Sequence, residues 1–319
     1  YNFRELRKDL CARGHIFRTN SDTETILHAF EEFGERCVQK LRGMFAFAIW
    51  DFRGESLFIA RDRIGKKPLF YAQTDDGEFV FGSELKTLLV HGGVKREAEL
   101  AALDAYLSFG YVPEEFCILN GVKKLPPGHS LTYREGRVEV REYWDIELTP
   151  LDADMPEAEW CRFLRDKLRE AVEVRLISEV PLGAFLSGGV DSSTIVGLMS
   201  QLSAQPVKTF SIGFREDSFD ELKYARIAAK HFNTEHHEFI VTPDLFDLVN
   251  EIVRHFDEPF ADQSALPTYM LSKMAREHVT VVLSGDGGDE LFAGASRYVT
   301  DRKRSGYGRI PKTVRRKVL

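Results

Sequence analysis

The hydrophobic pattern changes period once, near residue 150, and that change limits the chain to two differently built domains. Before it, short aromatic and aliphatic runs are divided by turn signals: 44–51 (MFAFAIWD), 56–61 (SLFIAR), 69–72 (LFYA) and 78–82 (EFVFG), with Gly54 and Asp75-Asp76-Gly77 between them. Runs of this length and composition read as paired antiparallel strands. A helix is expected over 21–33, with Ser21 as N-cap and Glu24 completing a capping box. The first part is therefore an α+β domain with an antiparallel sheet. The polar, proline-bearing stretch 148–157 (LTPLDADMPE) marks a linker.

After that linker, helical spacing takes over in 158–177, with Phe163, Leu164, Leu168, Ala171 and Val172 on one side. Strands are expected at 182–186, 207–212, 237–241 and 279–283, alternating with helices at 192–202, 221–232, 245–255 and 265–277. Such alternation predicts an α/β domain, a parallel sheet covered by helices on both faces. Ligands bind such sheets at the carboxyl ends of the strands. The 319 residues allow two domains of ordinary size, 1–150 and 151–319.

Composition removes whole classes of function. The chain carries 43 Lys+Arg against 50 Asp+Glu, a formal charge of −7, which argues against a general nucleic-acid binder. No apolar run reaches the roughly 18 residues of a membrane span, and no signal-peptide pattern opens the chain, so a cytoplasmic location is expected. Cys11, Cys37, Cys117 and Cys161 show no CxxC spacing, which points to small buried hydrophobes in a reduced compartment and gives no zinc pattern. A start at Tyr1 without Met, and a close in a stretch (302–319) with eight basic and no acidic residues, read as a fragment. That basic stretch is expected to be a solvated helix surface.

Two motifs carry chemistry. Ser187-Gly188-Gly189-Val190-Asp191-Ser192-Ser193 lies between an expected strand and an expected helix. Its glycines let backbone approach an anion, and the helix start aims free N–H groups at it. The hydroxyls of Ser187, Ser192 and Ser193 are candidate donors to phosphate oxygens. Asp191 beside a polyanion calls for a bridging divalent cation, Mg²⁺ by its preference for carboxylate and phosphate oxygen. The spacing is neither GxxxxGK[ST] nor GxGxxG. Ser284-Gly285-Asp286-Gly287-Gly288-Asp289-Glu290 follows another apolar strand and brings three glycines and three acids to its carboxyl end. An EF-hand's ligand spacing does not fit it. Jointly the two loops predict one nucleotide–metal site.

SGGVDSS resembles the signature of the PP-loop ATP pyrophosphatases. SGDGGDELFAG, with TFSIGF at 209–214, is similar to the synthetase domain of glutamine-dependent asparagine synthetases. The first half agrees: LRGMFAFAIWD (41–51), ARDRIGKKPLFY (60–71) and FGSELKTLL (81–89) resemble that family's N-terminal glutaminase. The resemblance implies an αββα Ntn-type amidotransferase domain followed by a PP-loop domain, both incomplete at the chain's ends. It also implies formation of asparagine from aspartate, glutamine and ATP through a β-aspartyl-adenylate, with AMP and pyrophosphate released. A homodimer is compatible with it; nucleic acid and membranes are not among the implied partners.

Residue by residue, the resemblance puts Leu186, Ser187, Gly188, Gly189, Asp191, Ser192, Ser193, Ile212, Ser284 and Gly285 at the ATP, with Ile212 near the adenine. Asp191 and Asp289 correspond to the carboxylates that hold Mg²⁺. Asp286 stands where the family commonly has a catalytic Glu, and Ala295 where it commonly has Tyr, with Tyr298 following. Asp22 matches the residue that binds the glutamine amino group. The implied glutaminase nucleophile, a cysteine at a mature N-terminus, lies upstream of Tyr1, so glutamine hydrolysis is expected of the intact protein only. Asp257, Glu258 and Asp262 belong to a segment that the resemblance puts beside the nucleotide and acceptor pocket; capping by Asp262 or Ser264 is the alternative. His236-His237 and Lys66-Lys67 are expected to be structural. Two other readings stay open: a ligase acting on a different carboxylate in a biosynthetic cluster, and a non-catalytic ATP-binding relative.

Overall fold

In a computed structural model of the protein, the structure describes residues 1–148, 155–214, 222–241, 245–295, 298 and 300. The helices are α1 (Phe3–Ala12), α2 (Asp22–Phe33), α3 (Cys37–Lys40), α4 (Leu85–Leu88), α5 (Leu100–Phe109), α6 (Glu157–Glu173), α7 (Val190–Leu202), α8 (Leu222–His231), α9 (Leu245–His255), α10 (Ala265–Ala275) and α11 (Gly288–Leu291). The strands are β1 (Ala46–Asp51), β2 (Ser56–Arg61), β3 (Phe70–Gln73), β4 (Phe79–Gly82), β5 (Val122–Lys124), β6 (His129–Arg134), β7 (Arg137–Glu142), β8 (Leu182–Phe185), β9 (Lys208–Phe214), β10 (Glu235–Val241) and β11 (Val281–Leu283). The chain divides into two compact units, Tyr1–Glu159 with Asp244–Leu266, and Trp160–Pro243 with Pro267–Leu319. The β/α alternation gives no hint that 244–266 belongs with the first unit. The expected linker falls largely on 149–154, and the basic stretch on 302–319, both outside the described residues.

In the first unit, antiparallel β1-β2-β6-β7 and β4-β3-β5 form two sheets. Alternation along β2 decides the layering. Phe58 and Ala60 pack with Leu6 and Leu10 of α1 and Ala29 of α2. Ile59, on the opposite face, packs with Tyr71 of β3 and Leu131 of β6. Phe70 and Ala72, the other face of β3, pack with Leu85 and Leu88 of α4. The layers thus run helices, sheet, sheet, helix. Ser21 caps α2 as expected, its hydroxyl accepting from Thr23 N. Glu24 does not close the capping box. Its carboxylate turns back to Arg18 N and Thr19 N, each at 2.7 Å, and these bonds hold its pKa down to about 2.

The turn after β2 winds around a buried carboxylate. Asp62 is fully buried and accepts from Phe45 N, Ile64 N, Lys66 N and Lys67 N at 3.0–3.3 Å. Arg61, also buried, donates to the carbonyls of Lys67, Gly65 and Leu125 and to Glu114. Lys66-Lys67 is therefore a turn held by its own backbone N–H groups. Glu258 accepts from Ile118 N at 2.9 Å and pairs with Lys124 Nζ at 2.6 Å, inside this unit.

In the second unit, parallel strands run in the order β10-β9-β8-β11. Ala184 and Leu186 face Val172 of α6, Val196 and Met199 of α7 and Ala225 of α8. Phe185 and Phe210 face Leu271 and Ala275 of α10. Helices therefore cover both faces, as the alternation predicts. From β8 the chain steps outward to β9 and β10, then returns to lay β11 on the other side of β8. The strand order reverses there, which opens a crevice at the carboxyl ends of β8 and β11.

Two outcomes check this packing. Asp62→Ala strips several buried backbone donors of their acceptor and is expected to lower the unfolding free energy by at least about 3 kcal/mol, read from urea titration. Burial pushes the Cys37 and Cys117 thiols up to about 12 and about 11, whereas Cys11 and Cys161 are exposed. A thiol reagent at pH 8 is thus expected to label Cys11 and Cys161 in the native protein, and all four cysteines after unfolding.

Candidate active site

Both glycine loops stand at the crevice where the strand order reverses. The loop after β8 carries Leu186 to Gly189; the loop after β11 carries Ser284 to Gly287. Helix α7 begins at Val190, two residues before the expected start, with extended Gly189 as N-cap. Ser192 lies inside the first turn with Asp191, where a carboxylate gains from the helix dipole. Among the described residues, a cavity of about 750 Å³ opens here, a size suited to a nucleotide.

Glycines set how closely these parts approach. Gly188 has φ +82°, and a Cβ on it would overlap the backbone of Tyr224 and Ala225 in α8. A Cβ on Gly285 would lie 2.7 Å from Ser192 N and 2.9 Å from Asp191 Cβ. One on Gly288 would collide with the Asp191 carboxylate, and one on Gly294 with Asp289 Oδ1. The second loop therefore presses against the first turn of α7 and leaves the Asp191 carboxylate bare. Asp191 and Asp289 both line the cavity, and neither carboxylate has a hydrogen bond or ion pair among the described residues. Two unpartnered carboxylates and a helix start around one cavity form a donor set for a hard divalent cation with a polyphosphate.

The remaining candidates divide by position. Leu186, Ser187, Gly189, Ser192, Ile212, Ser284, Gly285 and Asp286 line the cavity; Gly188 and Ser193 are not among its lining residues. Gly188 sits behind it against α8, and Ser193 N bonds Gly189 O as a helix amide. The Ser192 hydroxyl turns inward: it meets Ser187 Oγ at 3.0 Å and donates to Gly189 O at 3.3 Å, bracing the loop. Ser284 Oγ donates to Asp286 Oδ2 at 2.9 Å, which fixes that carboxylate. The sheet side is steadied by Ser211, whose hydroxyl donates to Leu186 O.

Asp22 is exposed in the first turn of α2, its Oδ1 accepting from Thr23 N at 2.8 Å. Asp257 and Glu258 lie in the first unit with lysines, at 3.7 Å from Lys86 Nζ and 2.6 Å from Lys124 Nζ. Asp262 Oδ1 accepts from Ser264 N at 2.7 Å, a turn just ahead of α10 and not a bond to an amide of the helix itself. His236 Nδ1 meets buried Thr209 Oγ1 at 2.9 Å, and burial holds its pKa below the ordinary value. Tyr298 OH donates to Glu290 O. Sequence reasoning missed Thr268 and Leu271, which line the cavity from α10. The i, i+3 spacing of Thr268 and Leu271 marks one helix face, but only the fold says what that face meets.

Gly285→Ala is expected to destabilise the protein by about 1–3 kcal/mol, because backbone atoms of α7 must yield. Gly92, with open space around it, serves as control: Gly92→Ala is expected to stay within about 0.5 kcal/mol of wild type in the same denaturant titration.

Comparisons with known proteins agree on both halves. A family model described as Asparagine synthase matches residues 163–319, and one described as Glutamine amidotransferase domain matches residues 1–144. Asparagine synthetase [glutamine-hydrolyzing] 1 of Bacillus subtilis is 39% identical over 323 residues, covering 100% of this chain and 50% of the relative. Putative asparagine synthetase [glutamine-hydrolyzing] 2 of Methanocaldococcus jannaschii is 37% identical, covering 99% of this chain and 61% of the relative. The chain thus spans about half the length of the curated relatives it matches. Among solved structures, an NH3-dependent NAD synthetase from Campylobacter jejuni aligns with 42% of this chain and 60% of its own at 14% identity and a TM-score of 0.31. With an amidotransferase domain and an asparagine synthase domain matched in that order, the chain belongs to the glutamine-hydrolysing asparagine synthetase family.

Proposed function

We propose that this protein makes asparagine from aspartate, with ATP as activating substrate and glutamine as nitrogen donor, in the cytoplasm. The observation that carries the reading is the pair of bare carboxylates, Asp191 and Asp289, facing one cavity with the start of α7. The amidotransferase part is 1–150, of Ntn type, and the synthetase part 151–319. The helices–sheet–sheet–helix layering supports the first assignment, and the switch-point crevice supports the second.

In this reading ATP lies along the carboxyl ends of β8 and β11. Ile212 and Leu186 give an apolar rest for the base, and the amides that open α7 face the phosphates. A β-carboxylate oxygen of aspartate attacks the α-phosphorus, the bond from that phosphorus to the bridging oxygen breaks, and pyrophosphate leaves. Asp191 and Asp289 would hold Mg²⁺, which when bound supplies positive charge against the leaving pyrophosphate. Asp286, fixed by Ser284, orients the groups around the acyl-adenylate. Ammonia from glutamine then attacks the acyl carbon, AMP leaves, and the amide remains. Asp22, in the first turn of α2, takes the glutamine amino group.

ATP–pyrophosphate exchange tests the reading. Exchange is expected to require Mg²⁺ and aspartate and to vanish in Asp191→Ala. Gly288→Ala, whose new methyl displaces the Asp191 carboxylate, is expected to cut exchange about 100-fold while the unfolding transition stays cooperative. Exchange with another carboxylate but not aspartate would reassign the acceptor; tight ATP binding with no exchange for any carboxylate would sink the ligase reading.

A further inference from the structure

Outside the nucleotide cavity, the first unit gathers imidazoles and carboxylates at one point. The loop after α1 folds over α2 and brings His15 Nδ1 to within 3.2 Å of His28 Nδ1. Glu31 Oε2 lies 2.6 Å from His28 Nδ1 and 3.6 Å from His15 Nδ1. The three atoms form a small triangle. Ligands about 2.0–2.1 Å from a tetrahedral zinc sit about 3.4 Å from one another, close to the 3.2 and 3.6 Å sides, while the 2.6 Å side is a hydrogen bond that opens when an ion enters. His28 and Glu31 share a face of α2 by their i, i+3 spacing, and only the loop fold delivers His15.

The far sides of both rings are also provided for. His15 Nε2 lies 3.1 Å from Glu32 Oε2, a contact that suits the tautomer with its N–H on Nε2, the one whose Nδ1 lone pair faces the triangle. His28 Nε2 faces Glu24 Oε1 at 3.8 Å. Carboxylates behind metal-binding imidazoles fix their tautomer and raise their basicity. Arg13 holds the other oxygen of Glu32 at 3.3 Å, and Phe17 meets the His28 ring edge-on at 4.6 Å, so neither ring is free to swing. Both histidine side chains are only 16% exposed, whereas Glu31 is 53% exposed and leaves an approach from solvent.

We propose that His15, His28 and Glu31 form a binding site for a zinc-class divalent cation, with water completing its coordination. Two imidazoles with one carboxylate favour Zn²⁺ or Co²⁺ over Mg²⁺ or Ca²⁺. The cysteines gave no zinc pattern because none of them takes part. The ion clips the loop after α1 to α2, the helix whose first turn carries Asp22. It is separate from the Asp191 and Asp289 pair.

The test is Co²⁺ titration of the purified chain after chelator treatment and dialysis, read by visible absorption, with Zn²⁺ as competitor. One equivalent of Co²⁺ is expected to give the strong bands of a four-coordinate ion, and Zn²⁺ to abolish them. Glu32→Gln is expected to weaken binding about 10–100-fold without moving the bands. His15→Gln and His28→Gln are expected to remove them, with far-UV circular dichroism checking the fold. Glu31→Gln, at the exposed ligand, covers the case in which a histidine variant does not fold. Absence of the bands at one equivalent, or binding that these ligand variants leave unchanged, would overturn the site; His236→Gln is expected to leave it intact.

Discussion

The architecture around the cavity of the second unit depends on one close approach, the loop after β11 lying against the first turn of α7. Parallel strands β8 and β11 set the two loops side by side, but contact at backbone distance requires the absence of side chains. Gly285 lets the loop rest on Asp191 and Ser192, and Gly288 leaves room for the Asp191 carboxylate. Any Cβ at either place would push the acidic groups out of register with the helix start. The packing of the two acidic loops is thus a consequence of what two glycines lack.

Polar burial plays the equivalent part in the first unit. Strand β2 sends Phe58 to the helices and Ile59 to the second sheet, and then the chain must turn without leaving buried amides unpaired. Asp62 accepts from four of them, and Arg61 satisfies the carbonyls of the same turn. A charged pair of neighbours inside a core would be costly alone. Here every formal charge is met by hydrogen bonds, so the turn is rigid and the two sheets are fixed at its ends.

The two acidic settings of the molecule suit different ions for a chemical reason. Asp191 and Asp289 offer only oxygen beside a helix start, the company of a hard cation and phosphate. His15 and His28 offer imidazole nitrogen with carboxylates behind them, the company of a softer one. The approach of two imidazole nitrogens to 3.2 Å and the backing of Glu32 distinguish the second cluster from the His237–Glu235 contact at 3.2 Å on β10.

Much of this was legible in the residues. Period-2 runs gave β1 to β4 within two residues, and β/α alternation gave the order of the second unit, because side-chain periodicity is a local property. The glycine loops stood out as a candidate site because strand–glycine–helix is a local pattern. Contacts between segments distant in sequence were not legible. The start of α7 was missed because Gly189, with no side-chain cap, begins the helix. The cavity wall from α10, the placing of 244–266 with the first unit, the inward turn of the Ser192 hydroxyl and the meeting of His15 with His28 all depend on packing. The sequence by itself determined β1 to β4, α2, the order of the later strands and helices, and the acidic, glycine-rich loops. Which carboxylates stay unpaired and which histidines meet was decided only when burial brought distant segments within a few ångströms.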